Sequence, residues 1–295
     1  MSEFQLPAGT GIGRVHLRVA DLERALDFYR EGLGFREVEA EGDVARLSAT
    51  GHAPLHVVLT ELPGARRKPR GTTGLYHVAI RFPSRRALAW AFRRLVEQEW
   101  PFQGFADHLV SEALYLADPE GNGLELYVDR PRDQWPRRGG QIQMATDPLD
   151  VEALLAEAGD EPGPGREQAI DPGTDVGHVH LQVSDLGRAE AFYGGLLGLE
   201  VTQRGYPGAL FLSAGGYHHH VGLNVWAGAG ASRPPSDAVG LVSFALRLPE
   251  VEAWRALVER VRAAGVEVAL GEDAYGAWAR TQDPDGNGVE LLRGE

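Results

Sequence analysis

The chain has 295 residues, of which 43% are hydrophobic, and a formal net charge of -13 at pH 7. This length predicts two globular domains, and the negative charge disfavours binding to nucleic acid or to an anionic membrane. No apolar run approaches the roughly 20 residues that cross a bilayer, and the N-terminus lacks a signal-peptide pattern, so we expect a cytoplasmic protein. Cysteine is absent, which leaves histidine and carboxylate as the available metal ligands.

The first predicted unit starts with a strand and continues into a helix. Residues 11–35, GIGRVHLRVADLERALDFYREGLGF, first alternate apolar and polar side chains and then place apolar residues at helical spacing. Gly34 is positioned to end the helix. Further strands separated by turn residues follow, which together predict a βαβββ motif.

The second unit begins at Gly74 with GLYHVAIRFP and ends with LADPEGNGLELY at Leu116. Ser84 is placed to cap its helix. Between this unit and the next, residues 139–172 contain a short helical run near 149–158 and the turn-rich segment DEPGPG. We interpret this stretch as a linker, which divides the chain into residues 1–138, the linker 139–172 and residues 173–295.

The third and fourth units repeat the first two. Residues 175–199 align with residues 11–35 without a gap, and 13 of the 25 positions are identical. GLVSFALRLP at Gly240 and TQDPDGNGVELL at Thr281 repeat the second unit. The chain is therefore predicted to be an α+β protein built from four βαβββ motifs by duplication.

These motifs resemble the vicinal oxygen chelate superfamily, which includes glyoxalase I, the fosfomycin and bleomycin resistance proteins and the extradiol ring-cleaving dioxygenases. The resemblance implies that two motifs close a cupped, barrel-like sheet around one metal ion. It also implies ligand positions on the first and last strands of a motif. In this chain those positions are Arg14, His77, His178 and Ser243 on first strands and Glu125 and Glu290 on last strands.

The distribution of ligands favours an unusual pairing of the motifs. Arginine stays protonated and cannot ligate a cation, so Arg14 leaves the first half incomplete, and Ser243 does the same for the second half. Pairing motif 2 with motif 3 assembles His77, Glu125 and His178, the set of two histidines and one carboxylate that extradiol dioxygenases use. We therefore expect motifs 2 and 3 to form the metal-binding module and motifs 1 and 4 to form a second module without metal.

The patterns GHVHLQVSDL, AGGYHHHVGLN and VSEALYLADPEGNGLELY are most similar to bacterial catechol 2,3-dioxygenase-like proteins. That resemblance implies three catalytic residues, namely His219 as acid-base group and His108 and Tyr115 as groups that contact substrate oxygens. The neighbouring His218 and His220 remain alternatives for His219. In motif 4 the equivalents of His108 and Tyr115 are Asp273 and Arg280, which cannot repeat those roles.

The resemblance thus implies an Fe(II)-dependent extradiol dioxygenase that cleaves a catechol-type ring with both atoms of O2 and yields a muconate-type semialdehyde. Mn, Zn or Ni could also occupy a site of two histidines and a glutamate. The expected partners are a small catecholic substrate and O2, with no nucleic acid or membrane, and a homo-oligomer is left open.

Two other functions are left open by the sequence. A glyoxalase-type lyase or transferase would need a further Glu or Gln at the metal, where His219 stands, and a resistance-type protein would only bind a small molecule. Within the expected pocket, the repetition of His180 by His16 favours packing over substrate contact. Four aromatic residues are candidates for the pocket lining, namely Tyr206, Trp226, Trp100 and Phe102.

Overall fold

A computed structural model describes residues 4–159 and 169–294. The N-terminal half contains two βαβββ units, as predicted. Unit 1 comprises β1 (Gly11–Val19), α1 (Leu22–Asp27), which continues as a π-helical turn (Phe28–Gly32), β2 (Arg36–Glu41), β3 (Val44–Ser48) and β4 (Val57–Glu61). Unit 2 comprises β5 (Gly74–Phe82), α2 (Arg85–Glu97), β6 (Phe102–Asp107), β7 (Ser111–Ala117) and β8 (Gly123–Asp129).

The C-terminal half repeats the pattern after a connecting segment. The connection has a 3-10 turn (Arg132–Gln134), the short strands β9 (Arg137–Arg138) and β10 (Gln141–Ile142), and α3 (Val151–Ala156). Unit 3 comprises β11 (Asp175–Gln182), α4 (Leu186–Glu190) with a π-helical turn (Ala191–Leu196), β12 (Glu200–Gln203), β13 (Ala209–Ser213) and β14 (Val221–Asn224). Unit 4 comprises β15 (Gly240–Leu248), α5 (Val251–Ala263), β16 (Ala269–Asp273), β17 (Gly276–Gln282) and β18 (Gly288–Arg293).

The start of α2 and the end of the first helix lie where the sequence predicts. The hydroxyl of Ser84 accepts a hydrogen bond from the amide of Ala87 at 3.1 Å and so caps α2. Gly34 and Gly265, which follow the first and last helices, have φ values of +89° and +76°. Glycine favours this left-handed conformation after a helix because it has no side chain to clash. None of the helices in the described ranges is long and apolar enough to span a membrane.

Two curled eight-stranded sheets confirm the α+β class. One has the strand order β16-β17-β18-β15-β1-β4-β3-β2, and the other has the order β12-β13-β14-β11-β5-β8-β7-β6. Each sheet therefore takes one unit from each half of the chain. In both sheets the two units meet through antiparallel first strands, β1 with β15 and β5 with β11.

Along the central strands, side chains point alternately into the apolar core and onto the opposite face of the sheet. On β5, Val78 and Ile80 are buried in a continuous apolar cluster that draws on both sheets and on the helices. On β11, Val179 and Leu181 belong to the same cluster. Since successive side chains of a strand point to opposite faces, the residues between them are directed away from this core.

The connecting segment packs against the second sheet. The backbones of Asp107 and Asp147 exchange two hydrogen bonds of 2.9 and 3.0 Å, and the side chain of Gln203 donates to the carbonyl of Ile142 at 2.9 Å. The short helix expected near residues 149–158 is α3. Part of the expected linker, residues 160–168 with its DEPGPG turn, lies outside the described residues.

Candidate metal centre

Four adjacent strands of the second sheet carry the three predicted metal ligands, Tyr115 and His180 on one face. His178 and His180 are on β11, His77 is on β5, and Glu125 is on β8. His77 is the register partner of His180 across the antiparallel pair, while Tyr115 on β7 is opposite Glu125. The order of strands, rather than proximity in sequence, thus brings these side chains together.

The potential ligand atoms of His77, Glu125 and His178 lie within 4.8 Å of one another. Nε2 of His77 is 3.0 Å from Oε2 of Glu125, and Nε2 of His178 is 3.2 Å from the same oxygen. All three residues are buried. Nε2 of His77 nevertheless makes no hydrogen bond of acceptable geometry among the described residues, which leaves a buried nitrogen that suits a metal ion better than a hydrogen-bonding partner.

The electrostatics of the cluster also suit a cation. Burial lowers the pKa of His178 to about 4, so its imidazole is neutral and has a lone pair to offer at neutral pH. Burial alone would raise the pKa of Glu125, but the adjacent His178 and His77 bring that pKa well below its usual value. The cluster therefore presents two imidazoles and one carboxylate, and these residues fit a divalent metal ion.

His108 and Tyr115 form a hydrogen-bonded pair beside the cluster. Nε2 of His108 lies 2.7 Å from the hydroxyl oxygen of Tyr115, and Nδ1 of the same ring lies 2.6 Å from the carbonyl oxygen of Ala145. Burial, followed by the nearby charge of Glu125, raises the pKa of Tyr115 well above its usual value, so its hydroxyl stays protonated. The predicted pair is thus positioned by the connecting segment as well as by the sheet.

His219 lies at the end of a chain of hydrogen bonds that begins at Asp129. Nε2 of His218 is 2.9 Å from Oδ1 of Asp129, and Nδ1 of His218 is 2.8 Å from Nδ1 of His219. A carboxylate only accepts, so the neutral form of His218 carries its proton on Nε2 and accepts at Nδ1 from His219. The neutral ring of His219 then has its lone pair on Nε2.

The loop between β13 and β14 places this histidine run. His219 lies before β14, which begins only at Val221, because the preceding residues turn sharply. Gly215 and Gly216 make that turn with φ values of +63° and +66°. The ring of His219 packs 4.1 Å from that of His178 between ring centroids, so it reaches the cluster from the loop and not from the strand.

A pocket of about 370 Å³ opens beside the cluster. It is lined by five of the six predicted site residues, all but His178, and by Tyr206 and Trp226. The expectation that Trp100 and Phe102 also line it is wrong. Trp100 packs against Phe28, and Phe102 packs against Phe92, with centroid distances of 4.5 and 5.1 Å. Both rings serve the packing of helices instead.

The sequence did not identify several residues that line this pocket. Tyr76 comes one position before His77, and strand alternation predicts that these two side chains lie on opposite faces of the sheet. Met144 and Thr146 belong to the segment interpreted as a linker, and Thr146 bonds to the hydroxyl of Tyr206 at 3.0 Å. His180 also lines the pocket, although repetition favoured a packing role. Residues 139–147 have no periodic pattern, so their contribution to the pocket could not be predicted from the sequence.

The corresponding face of the first sheet is occupied by ion pairs. Glu290, the repeat counterpart of Glu125, accepts from Nε of Arg14 at 3.1 Å and from Nη2 of Arg280 at 2.6 Å. The hydroxyl of Ser243 donates to the same carboxylate at 2.9 Å, and Nη2 of Arg14 also reaches Asp273 at 3.2 Å. Burial would raise the pKa of Glu290, but the two guanidinium groups lower it below its usual value. The carboxylate is thus already neutralised by cations of the chain.

Known proteins resemble this chain over most of its length. Residues 11–126 and 175–291 match the family model described as the glyoxalase/bleomycin resistance protein/dioxygenase superfamily. A catechol-2,3-dioxygenase of Bacillus subtilis (strain 168) is 44% identical over 279 residues, which cover 93% of this chain and 94% of that protein. A 1,2-dihydroxynaphthalene dioxygenase of Sphingobium xenophagum is 24% identical over 41% of this chain and 39% of its own length.

Solved structures share the fold at low sequence identity. A candidate dioxygenase from Bacillus subtilis superposes with a TM-score of 0.70 and 16% identity, covering 98% of this chain and 86% of that one. Glyoxalase I from Zea mays superposes with a TM-score of 0.55 and 18% identity, covering 97% and 92%. The fold is therefore shared by proteins with different chemistry, and function must be argued from the site.

Proposed function

The chain belongs to the glyoxalase/bleomycin resistance protein/dioxygenase superfamily, and from this membership we propose that it is a non-heme Fe(II) extradiol dioxygenase. Its substrate would be a catechol-type aromatic, into which both atoms of O2 are inserted. The observation that carries the proposal is the convergence of His77, Glu125 and His178 beside a pocket that also holds His219. The likeness to a relative named as a catechol-2,3-dioxygenase supports it.

His77, Glu125 and His178 would hold the metal ion. Two imidazoles and one carboxylate leave coordination positions open, and Fe(II) bound there would supply the redox chemistry that joins a catechol to O2. The same three ligands would also accept Mn, Zn or Ni. The protein contributes a buried position in which the ligands are preoriented by their strands.

His219 is the group that would move a proton. With its Nδ1 proton donated to His218, Nε2 of His219 holds the lone pair and can take a proton from a substrate hydroxyl. Burial, together with the nearby His178 and His218, lowers the pKa of His219 well below its usual value, so the neutral form is available. The same nitrogen can return the proton later in the reaction.

Tyr115 and His108 would orient the substrate. Their hydrogen-bonded pair lines the pocket on the side of Glu125. On substrate binding, the protonated hydroxyl of Tyr115 would turn its single proton from Nε2 of His108 to a substrate oxygen and stabilise charge that develops there. Ala145, by accepting from His108, keeps the pair from turning away from the pocket.

The reaction can be tested directly. The protein is reconstituted with Fe(II) without oxygen and then mixed with catechol and air while oxygen uptake and the yellow ring-fission product are followed. We expect one O2 to be consumed per catechol, loss of product in His178→Ala and retention in Glu290→Ala. Iron bound at one per chain without oxygen uptake for any catechol would reject the dioxygenase and favour the glyoxalase-type alternative.

A further inference from the structure

His180 has a repeat counterpart, His16, and the two have different surroundings. His16 pairs with Val58 in the parallel register of β1 and β4, and its Nε2 lies 2.7 Å from the hydroxyl of Thr60. His180 pairs with Gly222 in the same register of β11 and β14. Its Nε2 has no hydrogen-bond partner within the part of the chain that the structure describes. Of these two repeat counterparts, only His180 has a buried ring nitrogen that the described residues leave without a partner.

The surroundings of His180 are built to hold its ring at the pocket. A Cβ atom on Gly222 would come within 2.9 Å of the imidazole, so glycine makes the space in which this ring lies. Asn224, two residues further on, uses its side-chain carbonyl to accept from the amide of Trp226 at 3.0 Å. His180 is only 3% exposed, yet it forms part of the pocket lining.

The rings of Tyr76 and Trp226 extend the pocket lining from His180 to the exterior, and these three residues form one wall of the pocket. The ring centroids of Tyr76 and Trp226 lie 5.2 and 5.4 Å from that of His180 and 5.3 Å from each other. Tyr76 is 41% exposed and Trp226 is 44% exposed. The indole N–H of Trp226 donates to the carbonyl of Pro207 at 3.0 Å, so this group is already paired within the protein.

The charged residues of the pocket lining limit which ligand substituents can bind along this wall. Among the described residues, no lysine or arginine lines the pocket, and its one carboxylate belongs to Glu125. An anionic substituent buried beside His180 would lose its hydration without meeting a cation, which is costly. Tyr76 and Trp226 also line an adjacent outer cavity that contains Arg67, Lys68 and Arg70, so this exclusion of anions applies to the part of the pocket beside His180. A neutral substituent could pack on the aromatic faces and pair with the imidazole.

From these observations we propose that His180, Tyr76 and Trp226 form a subsite that binds an uncharged, hydrogen-bonding substituent on the ring of the substrate. The inference rests on the proposed function, because the two substrate hydroxyls are taken to face His77, Glu125 and His178. His180 lies directly beside His77, with ring centroids 5.0 Å apart. The rest of the ring then extends along the wall towards the exposed aromatic pair.

Four probes test the subsite in the iron-loaded protein: catechol, 4-methylcatechol, 4-(hydroxymethyl)catechol and 3,4-dihydroxybenzoate. Dissociation constants are measured by calorimetry without oxygen, and kcat/KM is measured with oxygen. We expect the benzoate to bind about 100-fold more weakly than 4-(hydroxymethyl)catechol because its charge is buried without a cation. We expect the hydroxymethyl compound to be preferred over the methyl compound.

Substitutions test whether His180 causes the preference for the hydroxymethyl compound. His180→Leu should reduce the preference for 4-(hydroxymethyl)catechol over 4-methylcatechol by about tenfold, the value of one hydrogen bond, with iron content unchanged. His16→Leu is the matched control and should leave the preference as it is. Trp226→Leu, at an exposed position, should weaken binding of both substituted catechols relative to catechol.

The outcomes separate this proposal from the proposed function. A preference that His180→Leu changes by less than twofold would overturn the subsite even if every catechol is cleaved. Anaerobic binding that depends on His180 without any oxygen uptake would retain the subsite and reject the dioxygenase. Equal binding of the benzoate and the hydroxymethyl compound would overturn the subsite, because the lining would then tolerate a carboxylate.

Discussion

Nε2 of His108 and the hydroxyl oxygen of Tyr115 lie 2.7 Å apart, and this contact depends on a carbonyl in the connecting segment. The carbonyl of Ala145 can only accept, so Nδ1 of His108 carries the ring proton. The neutral imidazole then accepts at Nε2 from the tyrosine hydroxyl. A strand residue, a loop residue and the connection between the two halves of the chain are thereby linked at one side of the pocket.

The first prediction concerns the tyrosine hydroxyl. Tyr115→Phe should lower kcat/KM for catechol by about 10- to 100-fold, since it removes a donor placed where charge develops, and iron content should not change. Steady-state oxygen uptake and metal analysis measure the two effects. Tyr275→Phe, which removes a hydroxyl bonded to Glu39 at the exposed edge of the other sheet, is the control. An unchanged kcat/KM in Tyr115→Phe would contradict the role given to this hydroxyl.

Substitutions along the histidine run should have graded effects. His219→Gln removes the proposed proton-moving group and should reduce kcat by about 10²- to 10⁴-fold. His218→Gln disturbs the acceptor that fixes the tautomer of His219 and should cost about tenfold. His220→Gln should have little effect on kcat, because its Nδ1 accepts from the amide of Ala214 and the residue does not line the pocket. A larger loss in His220→Gln than in His219→Gln would reassign the role within the run.

The ion pairs of the first sheet should contribute to stability and not to catalysis. Arg14 and Glu290 are both buried, and breaking such a pair leaves an uncompensated charge. Arg14→Met should lower the free energy of unfolding by about 3 kcal/mol, and the double variant with Glu290→Leu should recover part of that loss. Urea unfolding of the two single variants and the double variant gives the coupling energy. Additive effects would show that the pair does not interact.

The stability of the metal-free protein should depend on pH through His16. Burial is the main cause that lowers the pKa of His16 to about 4 from its ordinary value of 6.5, helped by the charges of Arg280, Arg14 and Arg18. Between these values the unfolded chain binds one more proton than the folded protein, so stability falls as the pH is lowered through this range. Above 6.5 neither state is protonated, and below about 4 both are.

Replacing that histidine isolates its share of the pH dependence. From pH 6.5 to 4, His16→Gln should reduce the slope of unfolding free energy against pH by at most about 1.4 kcal/mol per unit. Urea unfolding at several pH values, run beside His52→Gln at a surface loop, provides the measurement. Equal slopes in the His16→Gln variant and the unaltered protein would contradict the lowered pKa.

The sequence was sufficient for the elements because their signals are local. Alternation and helical spacing predicted the βαβββ units, and Ser84 and Gly34 marked helix ends through capping and backbone freedom. The repeats then transferred these predictions from one half to the other. His77 and His178 stood out by the same comparison, since the first and fourth units have Arg14 and Ser243 at the matching positions.

Contacts that depend on non-local packing were not predictable from such patterns. Trp100 and Phe102 look like pocket residues because they are large and aromatic, yet their rings face Phe28 and Phe92. Thr146 lies in a segment without periodicity, and only the folded chain brings it to Tyr206. Repetition also did not predict the different surroundings of His16 and His180, because equal residues in the two halves meet different neighbours.

The most direct test of the account compares the two glutamates at matching repeat positions. Glu125→Ala and Glu290→Ala are each reconstituted with Fe(II) without oxygen, and bound iron per chain is measured after removal of the excess, with circular dichroism to confirm folding. The account predicts about one iron per chain in Glu290→Ala and a loss of affinity of at least about 100-fold in Glu125→Ala. Iron retained in a folded Glu125→Ala and lost from Glu290→Ala would contradict the placement of the metal centre between β5, β8 and β11.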